Sequence, residues 1–222
     1  EFDCVRYTHR EERAVTHLLR VTASLDAMVI GESEIQGQVR AAFDRAREED
    51  TVGPVLDNLF RKALETGKRV RTETQVSAGA VSVASVAVEL ARSGFDDALS
   101  ARRALLIGAG EMGAATARTL MAAGVRDLVV ANRTVSTARE LAAQIGGVGV
   151  SFDQLTDELA LADIVISSTD APHTILSHDD VEAAMRTRPG RQLVLIDIAV
   201  PRDLDPGIAT IPGVTLHDID DL

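Results

Sequence analysis

Three glycines, Gly108, Gly110 and Gly113, fall in the stretch LIGAGEMGAAT at residues 106–116, between one apolar run and another. That spacing suits a turn that receives a dinucleotide. Gly108 lets the backbone bend sharply, Gly110 lets it approach a pyrophosphate, and Gly113 lets the following helix pack on the strand. Ala109, Glu111 and Met112 complete the turn. A helix opening at Glu111 aims its free N–H groups and the positive end of its dipole at the phosphates.

A second group selects the coenzyme. The next strand ends in Asn132-Arg133-Thr134. Sites for NAD place an acid about 20 residues past the glycines, where it binds the ribose 2′-hydroxyl. An arginine there pairs with a 2′-phosphate that an acid would repel. NADPH is therefore expected over NADH. In a parallel sheet, ligands sit at the carboxyl ends of strands. Ser167, Ser168 and Thr169 end one strand and Asp197 ends another, followed by IAVPRD at residues 198–203. These are expected to line the nicotinamide end. No metal site is expected.

The elements that hold these residues can be read from periodicity. ALLI (104–107), DLVVAN (127–132), VGVSF (148–152), 163–167 and 193–196 read as short buried strands. Helices alternate with them over 111–123, 135–145 after a Thr134 cap, through Leu155 and Leu159, and from His178. Repeated strand–helix units predict an α/β, doubly wound parallel sheet covered on both faces, a Rossmann domain. Before it the chain reads as helical. Ala14, Val15, Leu18, Leu19, Thr22 and Leu25 share one face, and Ile35, Val39, Ala42, Phe43 and Ala46 share another. A helix opening at Pro54 is expected to bury Val55, Leu56, Leu59, Phe60, Ala63 and Leu64, then Gly67 and Val70. The small-residue segment 77–80 puts the domain boundary near Gln75, giving a helical domain over 1–75 and the Rossmann domain over 76–222.

Composition bounds the function. A net charge of −11 argues against non-specific nucleic-acid binding. The segment Arg61–Arg71 carries five basic residues and one acidic one, as a solvated helix face or a local basic patch would. No apolar run approaches the roughly 20 residues of a membrane helix. A single cysteine, Cys4, rules out an internal disulfide framework and fits the cytoplasm. The chain opens on Glu1-Phe2 and stops at DIDDL, which reads as a piece of a longer protein.

The string AVTHLLRVTASLDAMVIGESEIQGQV (14–39) resembles the glutamyl-tRNA reductase family. So do GKRVRTET (67–74), the small-residue helix at 82–88, IGAGEMG, ANRT, ISST and IDIAVPRD, in order over almost the whole chain. The resemblance implies NADPH-dependent reduction of glutamyl-tRNA(Glu) to glutamate-1-semialdehyde, the entry to tetrapyrrole synthesis by the five-carbon route. It implies covalent catalysis, in which a cysteine thiolate takes the acyl group as a thioester that hydride then reduces. It also implies a homodimer through a C-terminal helix, whose first turn DIDDL resembles, and a glutamate-1-semialdehyde aminotransferase as partner.

Carried over by position, the family histidine falls on His17, where it would assist proton transfer. Substrate contacts fall on Ala27, Glu32, Ser33, Glu34 and Gln38. Three positions depart from the family pattern. Ala27 stands where the family has a hydroxyl in Gly-Leu-Asp-Ser, and Ser33-Glu34 stands for Pro-Gln. The nucleophile's Ser-Thr-Cys-Asn-Arg motif has no match, since Cys4 is followed by Val5-Arg6. The 222 residues are thus expected to bind NADPH without reducing glutamyl-tRNA. Two alternatives are a shikimate-dehydrogenase-like NADP oxidoreductase, which shares the glycine turn and Asn-Arg-Thr, and a nucleotide-binding module without chemistry.

Overall fold

The computed structural model describes residues 8–27, 30–31, 34–76, 82–95 and 99–221. Cys4, Glu32 and Ser33 lie outside them. The chain divides into two compact units, Glu1–Ser82 and Val83–Leu222.

Among its described residues the first unit holds three helices: α1 (Glu11–Thr22), α2 (Glu34–Glu48) and α3 (Pro54–Glu73). Helix α3 packs on both others. At Gly67 a β-carbon would meet the Thr22 carbonyl oxygen at 2.5 Å, so only a bare backbone lets α3 approach the end of α1. The buried amide of Gln36 donates to the Leu64 carbonyl (2.7 Å) and ties α2 to α3 beside that crossing. Phe43 and Phe60 stack at 5.3 Å between ring centres. Ala63 and Leu64 are buried as the periodicity requires, but Val55 and Leu56 are exposed. Both sit in the first turn of α3, which no described residue covers. The apolar stripe of a helix marks the face that can be buried; how far along it a partner extends is set by tertiary packing.

The second unit is a six-stranded, wholly parallel sheet in the order β3-β2-β1-β4-β5-β6. Its strands are β1 (Arg103–Ile107), β2 (Asp127–Asn132), β3 (Val148–Ser151), β4 (Ile164–Ser167), β5 (Leu193–Asp197) and β6 (Val214–Asp218). Helices α4 (Val83–Ser93), α5 (Glu111–Ala122), α6 (Val135–Ile145), α7 (Leu155–Leu161) and α8 (His178–Arg186) cover it. Alternate strand residues go to opposite faces. Leu105, Ile107, Val129, Val165, Leu193 and Leu195 join one core with Leu155 and Leu159 of α7 and Val181 and Ala184 of α8. Ala104, Leu106, Val130, Ile164, Ile166, Val194 and Ile196 are equally buried on the other face. There a β-carbon on Gly94, at the end of α4, would lie 2.7 Å from Val194.

Strand β6 was not expected. Its sequence VTLHD turns only Val214 and Leu216 toward the core, and at the sheet edge both stay partly exposed. Asp218 of DIDDL ends this strand and Ile219–Asp221 form a 3₁₀ turn, in place of the expected first turn of a long helix.

Candidate functional site: a dinucleotide cleft and a histidine–carboxylate pair

The order 3-2-1-4-5-6 reverses between β1 and β4, and a crevice opens there beyond the carboxyl ends of the strands. Gly108 leaves β1 with φ +100°, and its N–H donates to the Ala131 carbonyl at the end of β2 (2.9 Å). A β-carbon on Gly108 would lie 2.6 Å from the Ser168 carbonyl oxygen, and one on Gly113 2.4 Å from the Gly108 carbonyl oxygen. These two glycines therefore let β1, α5 and the segment after β4 meet at backbone distance. Gly110 differs. A β-carbon there would meet no protein atom within 4 Å, so it opens onto the crevice. Gly110 is the N-cap of α5, and the first intrahelical bond runs from Ala114 N–H to the Gly110 carbonyl. The amides of Glu111, Met112 and Gly113 thus form a free helix end, a geometry that suits phosphate.

The crevice encloses about 440 Å³, within the range of cofactor sites. Its wall brings together Gly108, Ala109, Gly110, Asn132, Arg133, Ser168 and Thr169. Glu111, Met112, Gly113 and Thr134 stand behind or beside this wall. Asn132 braces the turn, its Oδ1 accepting from the Ala109 N–H (3.3 Å) and its Nδ2 donating to the Thr134 carbonyl (3.0 Å). Thr134 is the exposed N-cap of α6 and makes no side-chain capping bond. Arg133 is exposed at the rim, has no ion-pair partner among the described residues, and is the one arginine or lysine in the wall. A bare glycine turn, a helix N-terminus and an uncommitted guanidinium together fit a nicotinamide dinucleotide.

Sequence reasoning missed part of the wall: Phe152 and Leu155 after β3, and Asp170, Ala171, His173, Thr174 and Ile175 after β4. The alternation of strands and helices would have placed both segments at the correct edge, because each follows a strand's carboxyl end. Conversely, Ser167, Asp197 and Asp203 do not line the crevice. Ser167 and Asp203 are fully buried and hydrogen-bonded to each other (2.6 Å). Asp197 accepts the N–H groups of Ala199 (3.0 Å) and Leu204 (2.9 Å). Burial pushes its carboxyl above the usual range, and the nearby Asp203 charge adds to that, against the pull of those amides.

In the helical unit, His17 lies on α1 in an open hollow with His9, Arg13, Thr16 and Asp26. Its Nδ1 is 3.1 Å from Asp26 Oδ2, and its ring stands 4.7 Å from that of His9. The turn after α1 makes this pairing. The Leu25 N–H returns to the Arg20 carbonyl (2.9 Å), and Ser24 takes φ +55°. The chain doubles back and presents Asp26 to the helix it has just left. Ala27 follows in the same bend. Glu34 opens α2, and Gln38 sits on that helix's exposed side, outside the wall of the hollow. Asp26 was not singled out from sequence, although the motif Ser24-Leu25-Asp26-Ala27 contains it. Among the described residues, His178, Asp179 and Glu182 bring ligating atoms within 4.8 Å of one another on α8, a cluster with only Asp179 fully exposed, to which we assign no role.

Comparison with known proteins matches each unit separately. Residues 1–74 match the family model "Glutamyl-tRNAGlu reductase, N-terminal domain" and residues 89–222 match "Shikimate / quinate 5-dehydrogenase". The chain is 51% identical to glutamyl-tRNA reductase of Moorella thermoacetica over 97% of its own length and 49% of the relative's. It is 49% identical to that of Deinococcus radiodurans over 97% of its length and 61% of the relative's. The solved glutamyl-tRNA reductase of Methanopyrus kandleri superposes with a TM-score of 0.61 at 45% identity, over 97% of this chain and 54% of that one. The chain thus spans about half the length of two of these proteins and 61% of the third. Its second unit has the dehydrogenase nucleotide-binding fold, and with the helical unit before it the chain belongs to the glutamyl-tRNA reductase family.

Proposed function

We propose that this chain supplies the NADPH-binding domain and the latter part of the catalytic domain of an enzyme that reduces glutamyl-tRNA(Glu) to glutamate-1-semialdehyde. The observation that carries this reading is the identity of 51% to a glutamyl-tRNA reductase, continuous over 97% of the chain and through both units. A dehydrogenase acting on a hydroxy acid such as shikimate would account for the second unit and leave the first unexplained.

Within this reading, Gly110 and the amides that open α5 hold the pyrophosphate, and Arg133 holds the 2′-phosphate that separates NADPH from NADH. The coenzyme supplies the hydride. Asp26 fixes the ring of His17 by accepting from Nδ1, so the proton rests on that nitrogen and the ring faces substrate in one tautomer. His17 then moves a proton at the ester oxygen that leaves with the tRNA. The thiolate belongs to a Ser-Thr-Cys-Asn-Arg motif that these 222 residues do not contain. Ala27 and Glu34, where the family has a hydroxyl and an amide, change how the glutamyl group is held. Dimerisation, and an aminotransferase that accepts the aldehyde, belong to the same proposal.

Calorimetry with NADPH and NADH tests the coenzyme, and formation of the semialdehyde from glutamyl-tRNA by the whole protein tests the reaction. Equal affinity for the two coenzymes refutes the role of Arg133. Turnover of shikimate, or no aldehyde from glutamyl-tRNA, refutes the reaction.

A further inference from the structure

The segment that closes one side of the cleft, residues 168–175, has no regular secondary structure of its own and yet must hold a fixed shape. It is tied at both ends to a single residue, Asp203, which is 0% exposed and does not itself line the cleft. At the near end, Oδ2 of Asp203 accepts from Ser167 Oγ (2.6 Å) and from the Thr169 N–H (2.9 Å), and Oδ1 accepts from Thr169 Oγ1 (2.6 Å). Thr169 Oγ1 in turn accepts the Ala171 N–H (3.1 Å). At the far end, the Asp203 carbonyl accepts the N–H groups of Ile175 (2.6 Å) and Leu176 (3.2 Å). The held segment bears on the glycine turn, since a β-carbon on Gly108 would lie 3.1 Å from Thr169 Cγ2.

We infer that Asp203 is a positioning residue of the coenzyme cleft: it clamps residues 168–176 so that Ser168 and Thr169 stand against the glycine turn and the far wall stays open to coenzyme. This rests on the reading of the cleft as a nicotinamide-coenzyme site. A carboxylate suits the task because its two oxygens accept several donors at once, which a loop of unpaired amides and hydroxyls offers. Asparagine can imitate the arrangement. Its oxygen can take the Oδ2 position and its NH₂ can donate to Thr169 Oγ1. Alanine cannot.

The test uses the full-length protein with NADPH as probe, comparing Asp203→Ala, Asp203→Asn, Thr169→Val and the Ala/Val double variant. Asp203→Ala is expected to raise the NADPH Kd about tenfold or more, the loss expected when buried hydrogen-bond donors lose their acceptor. Asp203→Asn is expected to restore most of the affinity. The double variant is expected to bind no worse than Asp203→Ala, because both changes break one network. The Thr169 amide is expected to exchange hydrogen faster in Asp203→Ala with no coenzyme present.

A folded Asp203→Ala protein with unchanged Kd and unchanged Thr169 exchange overturns the inference. So do strictly additive losses in the double variant. Should Asp203→Ala not fold, an unchanged Kd in Thr169→Val overturns it. If the unaltered protein binds no NADPH, the coenzyme reading fails, and the exchange of Thr169 alone then decides the clamp.

Discussion

Replacing Gly110 with alanine separates binding from folding. Gly110 has φ −72° and ψ −172°, an extended conformation that alanine adopts without strain. The added carbon meets no protein atom within 4 Å. Two small effects on stability oppose each other: alanine narrows the unfolded ensemble by about 0.4–1 kcal/mol, and it is a poorer N-cap than glycine by a similar amount. The folded protein should therefore change by less than about 1 kcal/mol. With coenzyme bound, that methyl occupies the space into which the pyrophosphate packs. Overfilling a tight contact costs about 1–3 kcal/mol, a rise in Kd of about fivefold to 150-fold. Gly113→Ala is the contrasting control. Its carbon would sit 2.4 Å from the Gly108 carbonyl oxygen and 3.0 Å from Ser168 Oγ, so backbone must move. That clash exceeds the helix-propensity gain of about 1 kcal/mol and should lower the melting temperature. Fluorescence titration with NADPH, paired with thermal unfolding with and without it, reads both quantities. Full NADPH affinity in a stable Gly110→Ala protein would refute the placement of the pyrophosphate.

Three further outcomes follow from the site. Arg133→Ala should weaken NADPH about tenfold and leave NADH nearly unchanged, since an exposed charge-assisted contact is worth about 1.5 kcal/mol; equal losses in calorimetric titrations with the two coenzymes would remove Arg133 from the phosphate site. Asp26→Asn should lower kcat for glutamyl-tRNA in the whole protein while leaving NADPH affinity alone, because Asp26 pairs with His17 and is not part of the cleft wall; a changed NADPH Kd would count against it. For Asp197, burial raises the folded pKa above the ordinary 3.8, so the neutral form stabilises the fold at low pH and that contribution fades as pH rises through the raised value. Urea midpoints measured across that interval should show a decline that Asp197→Asn abolishes, and an identical slope in the variant would contradict the assignment.

The glycine turn was legible because two of its glycines, Gly108 and Gly113, answer to backbone contacts of the strand-turn-helix order. Gly108 and Gly113 exclude a side chain by contact, and Gly110 opens onto the crevice. Asn132 lines the crevice and braces Ala109 and Thr134, which only the meeting of the β1 and β2 ends reveals. The wall after β4 and its dependence on Asp203 were hidden, because the donors Ser167 and Thr169 lie far from Asp203 in the chain and share no period with it. Asp26 was hidden for a related reason. Its pairing with His17 depends on a doubled-back turn rather than on helical spacing. Strand β6 escaped notice because Val214 and Leu216 alone do not make a run.

The two ends of the sheet balance their buried charges differently, and the difference suits the ligand. At the amino ends of the strands, Asp163 is bonded by Arg191 (2.7 Å) and the Arg103 N–H (3.2 Å), with buried Arg188 beside it. The arginines there serve structure. At the carboxyl ends, Asp197 and Asp203 are satisfied almost wholly by backbone N–H groups and hydroxyls. An arginine recruited to neutralise them would stand beside the crevice as a rival partner for phosphate. Arg202 lies within electrostatic reach of Asp197 but pairs with Asp218 (2.8 Å) and Asp220 (2.6 Å), outside the crevice wall. Arg133 remains the one guanidinium on the wall, out at the rim where a 2′-phosphate would reach it. Asp203 thus orders the segment after β4 from behind, and that segment adds no arginine or lysine to the cleft wall.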